Sequence, residues 1–386
     1  VSAFEGKLSP LVEQLAPSGI RRFFDLASQM DDVISLGVGE PDFVTPWHVR
    51  EACFYALERG YTTYTANAGL PALRDAIAQY LETFDLSYDP KDEVLVTVGG
   101  SEAIDLALRA VVQPGDEVLI PEPAYVSYEP CAILAGATVK KIATRAMDQF
   151  RLTEAALRDA LTPRSKVLIL CAPNNPTGAI LDRAALAQIA SVAIAHDLLV
   201  ISDEIYAELT YGVRHVSVAS LPGMKERTIV ISGMSKAYAM TGWRIGYATA
   251  PRDVLAAMVK IHQYTMLCAP IMGQMAALEA LKNGERERQA MVEQYDQRRR
   301  FVVKRLREIG LACHEPQGAF YAFPDIRASG LSSEAFAERL LKAERVAVVP
   351  GAVFGPSGEG FVRCSYATSL AQLERAFERM DRFLNS

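Results

Sequence analysis

Between residues 94 and 249 the chain alternates short, β-branched apolar runs with longer segments of helical periodicity. The runs VLVTV (94–98), EVLI (117–120), ATVKKI (137–142), KVLILC (166–171), LLVIS (198–202), TIVIS (228–232) and IGYAT (245–249) predict seven strands. Between them SEAIDLALRAVV, EAALRDAL and DRAALAQIASVAIAHD carry apolar positions at helical spacing. Strands this short and this continuously apolar are buried on both faces. The pattern therefore predicts an α/β domain, with a mostly parallel seven-stranded mixed sheet covered by helices.

After Pro251 the pattern changes. Helical periodicity runs to about residue 309 and breaks at Cys268-Ala269-Pro270, where proline has no backbone N–H to donate. The segment RERQAMVEQYDQRRRFVVKRLREIG predicts one helix long enough to bridge two domains, with Arg298, Arg299 and Arg300 on a solvated face. Beyond it, strand-like GAFYAF, VAVVP and FVRCSYA alternate with two helices, an α+β layout. The expected division is an N-terminal arm over 1–46 that joins the smaller domain, a large sheet domain over 47–275, and a small C-terminal domain over 276–386. No internal repeat or low-complexity segment is visible.

Composition narrows the partners. With 386 residues, 50% hydrophobic and 22% charged, the chain has ample material for a core and is not disordered. Its 40 basic and 46 acidic residues leave a net charge of −6, which argues against a nucleic-acid or anionic-membrane binder. No run is long and apolar enough to span a bilayer, and VSAFEGKLSPLVEQL lacks the features of a signal peptide. Cys53, Cys131, Cys171, Cys268, Cys313 and Cys364 are scattered without a C-x-x-C pair, which reads as reduced thiols in a cytoplasmic protein. Five histidines, none in H-E-x-x-H spacing, predict no metal site.

In an open α/β sheet, ligands bind beyond the carboxyl ends of the strands. Those ends read Gly99-Gly100-Ser101-Glu102 at a helix start, Pro121-Glu122-Pro123-Ala124-Tyr125, Ala172-Pro173-Asn174-Asn175-Pro176-Thr177-Gly178, Asp203-Glu204-Ile205-Tyr206 and Gly233-Met234-Ser235-Lys236. A glycine-rich turn, an aromatic ring, an amide, a carboxylate with a phenol, and a lysine on one sheet edge predict an enzyme site. Each alone has a structural reading. Gly99-Gly100-Ser101 reads as an ordinary strand–helix turn rather than a phosphate cradle, Asp203 as a helix cap, Asn175 as a turn former and Lys236 as a surface lysine. Gly37-Val38-Gly39 opens like a dinucleotide fingerprint, but Glu40-Pro41 follows in place of the remainder, which argues against a nicotinamide site.

Assembled in this order, the residues resemble the class I pyridoxal-phosphate-dependent aminotransferases of fold type I, over essentially the whole chain. The most specific stretch is SGMSKAYAMTGWRIGY (232–247). It is supported by SLGVGEPDF (35–43), YTANAGLPALRDAI (64–77), PNNPTGAI (173–180), SDEIY (202–206), GAFYAFP (318–324) and VAVVPGAVFG…GFVRCSYAT (346–368). APSGIRRFFDLA and GMKERTIVISG look closest to members with aromatic or broad specificity.

The resemblance implies pyridoxal 5′-phosphate as cofactor, carried by Lys236 as a Schiff base, with the freed amine then moving the substrate α-proton. It implies Asp203 beside the pyridine nitrogen, holding it protonated, Asn175 and Tyr206 at the 3′-oxygen, and Tyr125 stacked on the ring. Gly100, Ser101, Glu102 and Arg244 would hold the phosphate. Many relatives add a serine where this chain has Gly233, a contact that is then lost or supplied by Ser235 or Ser232. Arg363 would clamp the substrate α-carboxylate, with Gly39 closing over it. Ile20, Phe24 and the Ser18-Gly19 turn would stand near the substrate side chain, although Ile20, Phe23 and Phe24 also read as core on a short helix. Tyr64 matches the position that reaches the phosphate of a neighbouring subunit, which implies a homodimer with shared active sites; core packing is its alternative.

The implied function is transfer of an amino group from an aromatic, alanine- or aspartate-type amino acid to 2-oxoglutarate by a ping-pong cycle. Strongly aspartate-selective relatives tend to carry a basic residue where this chain has neutral Ser101, which weakens the case for a dedicated acceptor of a second carboxylate. A β-lyase of the cystathionine-lyase type shares the motifs. A non-catalytic sensor would share the fold, but its usual basic helix-turn-helix has no counterpart in this sequence.

Overall fold

The computed structural model describes residues 6–17, 19–20 and 27–386. After a two-residue strand β1 (Ile34–Ser35), seven strands build the central sheet: β2 (Val94–Val98), β3 (Glu117–Glu122), β4 (Thr138–Ala143), β5 (Ser165–Cys171), β6 (Leu199–Asp203), β7 (Thr228–Gly233) and β8 (Ile245–Thr249). Every one of the seven apolar runs is a strand, with ends moved by no more than two residues. The order is β2-β8-β7-β6-β5-β3-β4, with β8 antiparallel to both neighbours and the other pairings parallel. The carboxyl ends of five parallel strands, β2, β3, β5, β6 and β7, consequently share one edge.

The alternation of a strand's side chains explains why both faces are covered. In β5, Val167 and Ile169 pack with Leu106 and Leu108 of helix Gly99–Val111 and with Leu255 and Met258 of helix Arg252–Thr265. Leu168 and Leu170 point the other way, onto Leu157 of helix Glu154–Ala160 and Leu186 and Ile189 of helix Arg183–Ala195. Each such side chain, fully removed from water, contributes about 1.5–3 kcal/mol. The sheet is thereby the rigid part on which the loops at its edge are mounted.

The remaining strands are short: β9 (Tyr321–Ala322), β10 (Val346–Ala347), β11 (Val349–Pro350) and β12 (Val362–Ser365). GAFYAF contracts to β9 because Ala319 sits at φ +59°, outside the extended region. β1 pairs in parallel with β10, Ile34 opposite Val346 and Ser35 opposite Ala347, which ties the segment entering the 37–43 loop to the C-terminal part of the chain. Helices end at Thr265 and restart at Ile271, on either side of the proline break.

Helix Glu285–Glu308, 24 residues long, forms as its pattern predicts, but its arginines do not share a solvated face. Arg298 and Arg299 are 6% and 9% exposed. Successive helical residues turn by about 100°, so three in a row sweep too wide an arc to stay together. Arg298 lies over the rings of Phe43 and Tyr295 and donates to Asp42 Oδ1 at 2.7 Å. Arg299 donates to Asp296 and Glu315, and Arg300 is the exposed member. Among the described residues, no helix is long and apolar enough to cross a membrane.

Candidate active site

A cavity of about 510 Å³ opens at the shared carboxyl edge. β2 delivers Gly100 and Ser101, β3 delivers Tyr125, β5 Asn175, β6 Asp203 and Tyr206, and β7 Ser235 and Lys236; Gly39, Arg244, Arg363 and Ile20 complete the wall from other segments. Twelve residues singled out in the sequence therefore face one space, although they span positions 20 to 363.

Lys236 stands in the turn after β7 and donates from Nζ to the Gly39 carbonyl oxygen at 2.6 Å. It is not a surface lysine. Burial lowers its pKa to about 8, against the opposing pull of Glu40. Opposite, Asp203 ends β6 inside the sheet, and burial pushes its carboxyl upward. No helix follows it, so it is not a cap; Oδ1 accepts from the Ile205 N–H at 3.2 Å and Oδ2 from the Tyr128 hydroxyl at 2.6 Å.

The two asparagines divide their work. Asn174 Oδ1 accepts from the Thr177 N–H and hydroxyl (3.2 and 3.0 Å), which forms the turn. Asn175 reaches the cavity, its Oδ1 accepting from Arg363 Nη1 at 2.9 Å, so its amide N–H groups are what it has left to offer a ligand. Arg363 Nη2 donates to Gly37 O at 2.7 Å, its guanidinium lies 4.4 Å from the centre of the Tyr321 ring, and its buried Nε–H has no partner among the described residues. The Tyr206 and Tyr321 hydroxyls are 2.8 Å apart. A Cβ on Gly39 would stand 2.9 Å from the Tyr321 oxygen, so the close approach of that loop requires glycine.

Helix Gly99–Val111 starts at the end of β2 without a side-chain cap, which leaves its first N–H groups free for an anion. Arg244, at φ +56°, lays its guanidinium against Gly99, where a Cβ would come within 2.4 Å of Nη2. A Cβ on Gly246 would stand equally close to the Gly99 carbonyl carbon, so β8 and the helix start touch through glycine alone. Ser235 lines the cavity, whereas Ser232 donates to the Glu204 carbonyl oxygen at 3.2 Å and does not.

Glu102 departs from the expectation. Its carboxylate turns away from the cavity to accept from the Val98 N–H at 2.5 Å and to meet His262 Nδ1 at 2.6 Å, so its side chain holds no anion. Tyr64 is 80% exposed and outside both cavity and core. Ile20 both lines the cavity and packs against the Phe150, Phe323, Phe354 and Phe361 cluster. Ser18, Phe23 and Phe24 lie outside the described residues. Two tyrosines carry no signal in the sequence: Tyr128 meets Asp203 75 positions away, and Tyr321 meets Tyr206 115 positions away.

Residues 31–380 match the family model for class I and II aminotransferases. A putative aminotransferase YugH of Bacillus subtilis is 58% identical over 98% of each chain. An aspartate aminotransferase of Pyrococcus abyssi is 47% identical over 98% of each. The crystal structure of an aromatic aminotransferase from Pyrococcus horikoshii superposes with a TM-score of 0.90 at 47% identity, covering 95% of this chain and 98% of that one. With the fold, the cavity and nearly the whole length in agreement, the chain belongs to the class I aminotransferases and is a transaminase.

Proposed function

We propose that the chain is a pyridoxal 5′-phosphate-dependent aminotransferase that moves the amino group of an aromatic, alanine- or aspartate-type donor to 2-oxoglutarate in a ping-pong cycle. One observation carries the reading: a largely buried amine, Lys236, with its pKa lowered to about 8, faces the buried carboxylate of Asp203 inside a cavity that also holds Arg363. Two of the relatives reported above are named as an aspartate and an aromatic aminotransferase, which supports the aspartate and aromatic part of that donor range.

The residues fit this cofactor chemically. Free N–H groups at Gly100 and Ser101, the Ser235 hydroxyl and the Arg244 guanidinium suit a phosphate. Asp203 suits a protonated ring nitrogen, Tyr125 a ring face, and Asn175 with Tyr206 a ring oxygen. When bound, pyridoxal phosphate supplies an aldehyde to carry the amine and a ring to accept the electrons left on the α-carbon. Lys236 accepts and returns the α-proton, for which a pKa near the working pH is the useful value. Arg363, fixed by Asn175 and Gly37, has further N–H groups for a substrate carboxylate, and that hold orients the α-hydrogen. Ile20, which also lines the cavity, stands where the donor side chain would lie.

A homodimer with shared sites and the division into 1–46, 47–275 and 276–386 belong to the same proposal. Val44, Trp47, Phe54, Tyr55, Tyr61 and Tyr64 are exposed, and so are Tyr264 and Met266. Asn67 donates to Leu267 O at 2.8 Å, which brings the two stretches together into a patch suited to a second copy. Six free thiols support a reducing, cytoplasmic setting.

The test is spectroscopic. The purified chain should take up pyridoxal phosphate, and donor amino acid alone should convert the bound cofactor to its amino form, which 2-oxoglutarate then reverses. Lys236→Ala should abolish the conversion, and full turnover by that variant sinks the proposal. Release of pyruvate and ammonia without an oxo-acid acceptor transfers it to the lyase chemistry.

A further inference from the structure

Tyr128 starts the helix Tyr128–Leu134 and is only 1% exposed. It touches two of the cavity's residues at once. Its hydroxyl donates to Asp203 Oδ2 at 2.6 Å, and its ring meets that of Tyr125 edge-on, with centroids 5.5 Å apart. We propose that Tyr128 is a positioning residue of the transaminase, whose hydroxyl keeps the Asp203 carboxylate ionised and aimed into the cavity while its ring sets the plane of Tyr125. This inference rests on the cofactor reading above, in which Asp203 meets the ring nitrogen and Tyr125 the ring face.

The need for such a donor follows from where Asp203 lies. Burial favours its neutral form, and the negative charge of neighbouring Glu204 works in the same direction. Lys236 pulls the other way, but more weakly than the hydrogen bonds. Cys171 is the remaining titratable neighbour, and burial pushes its thiol up to about 12, so it brings no charge. Among the described residues, only Tyr128 and the Ile205 N–H donate to the carboxylate. Burial and Asp203 together drive the Tyr128 phenol well above its ordinary range, so it donates at every working pH.

A base facing Asp203 shares one proton with it. A carboxylate stabilised from behind leaves that proton on the nitrogen; one deprived of its donor draws the proton to itself. Removing the hydroxyl should therefore weaken the electron-accepting ring without disturbing where the substrate carboxylate binds.

Tyr128→Phe isolates the hydroxyl, because the ring that packs on Tyr125 is retained. The experiment uses holoenzyme loaded with pyridoxal phosphate isotopically labelled at its ring nitrogen and read by nitrogen NMR. In the wild type the signal should report a protonated nitrogen, and in Tyr128→Phe it should move toward the unprotonated position. The value of kcat should fall about ten- to a hundredfold, the loss of one hydrogen bond to a charged group, while KM changes less than about threefold. A ring-fluorinated tyrosine at 128, a stronger donor of the same shape, should raise the pH at which the nitrogen loses its proton. That second variant decides the matter if Tyr128→Phe does not fold. An unchanged nitrogen signal and kcat in Tyr128→Phe, or no shift with the fluorinated residue, overturns the inference and leaves the cofactor reading standing. Failure of the wild type to take up pyridoxal phosphate defeats the cofactor reading, and this inference with it.

Discussion

Arg363→Met separates what a buried arginine does for the fold from what it does for the substrate. The guanidinium gives one bond to Asn175 Oδ1 and one to Gly37 O, both inside the protein. Stranding those two acceptors costs about 1–3 kcal/mol each, and relief of the buried cation's own desolvation returns part of it. The net loss of unfolding free energy should be about 2–4 kcal/mol, read by denaturant titration. Substrate binding should suffer separately. Removing one member of a buried, hydrogen-bonded charge pair costs about 2–5 kcal/mol, and about 4 kcal/mol corresponds to nearly a thousandfold in kcat/KM. The decisive comparison is between an amino acid and the amine that carries hydrogen in place of its carboxylate, each followed in single turnovers of cofactor-saturated enzyme. The amine never meets Arg363, so its rate should change less than about threefold. Equal losses for the two substrates refute the carboxylate role and reduce the effect to a general loosening of the site.

The Lys236 amine, with a pKa near 8 in the fold and 10.5 in the unfolded chain, makes a cofactor-free enzyme that gains stability as pH rises between those values, because the unfolded state there binds more protons. Lys236→Met should be more stable than the wild type below pH 8 by about 3 kcal/mol, and the advantage should vanish by pH 10.5; paired denaturation curves at both ends check it. Glu204 accepts from Ser202 and Ser217 (2.8 and 2.6 Å) and pairs with His215 at 2.8 Å, so Glu204→Leu strands three polar partners and should lower unfolding free energy by about 3–5 kcal/mol in calorimetry. Asp42→Asn leaves Arg298 buried against a neutral amide; a stability loss of about 2 kcal/mol with a raised substrate KM is expected, since the same loop carries Gly37 and Gly39. Co-refolding Lys236→Ala with Tyr64→Ala should restore activity that neither has alone, because one site of the mixed dimer then holds both native residues; no recovery in the mixed sample removes the shared-site dimer.

The central sheet was legible because a two-sided strand must be apolar at every position, and seven such runs stand out against the helices between them. The strand ends are legible too, since a glycine pair, a lysine and an Asn-Asn-Pro turn directly after apolar strands are poor choices for a core. What escaped was set by distant partners. Nothing in Ser-Tyr-Glu announces that the Tyr128 phenol meets a carboxylate 75 residues on. By charge alone the arginine triplet reads as a solvated face; the helical sweep turns Arg298 inward, and the Asp42 that meets it lies 256 positions earlier in the chain. The place of Glu102 in the motif points to the phosphate, whereas its side chain is claimed by Val98 and by His262 on another helix.

The contact of β8 with the start of helix Gly99–Val111 has a bearing on redesign. Gly246, Gly99 and the Arg244 side chain fill one another's space so fully that none can be enlarged by itself. Mutational libraries over these three positions should yield concerted changes or non-functional clones, with few single hits between. Efforts to admit bulkier substrates are better spent at Ile20, where a side chain rather than backbone lines the cavity.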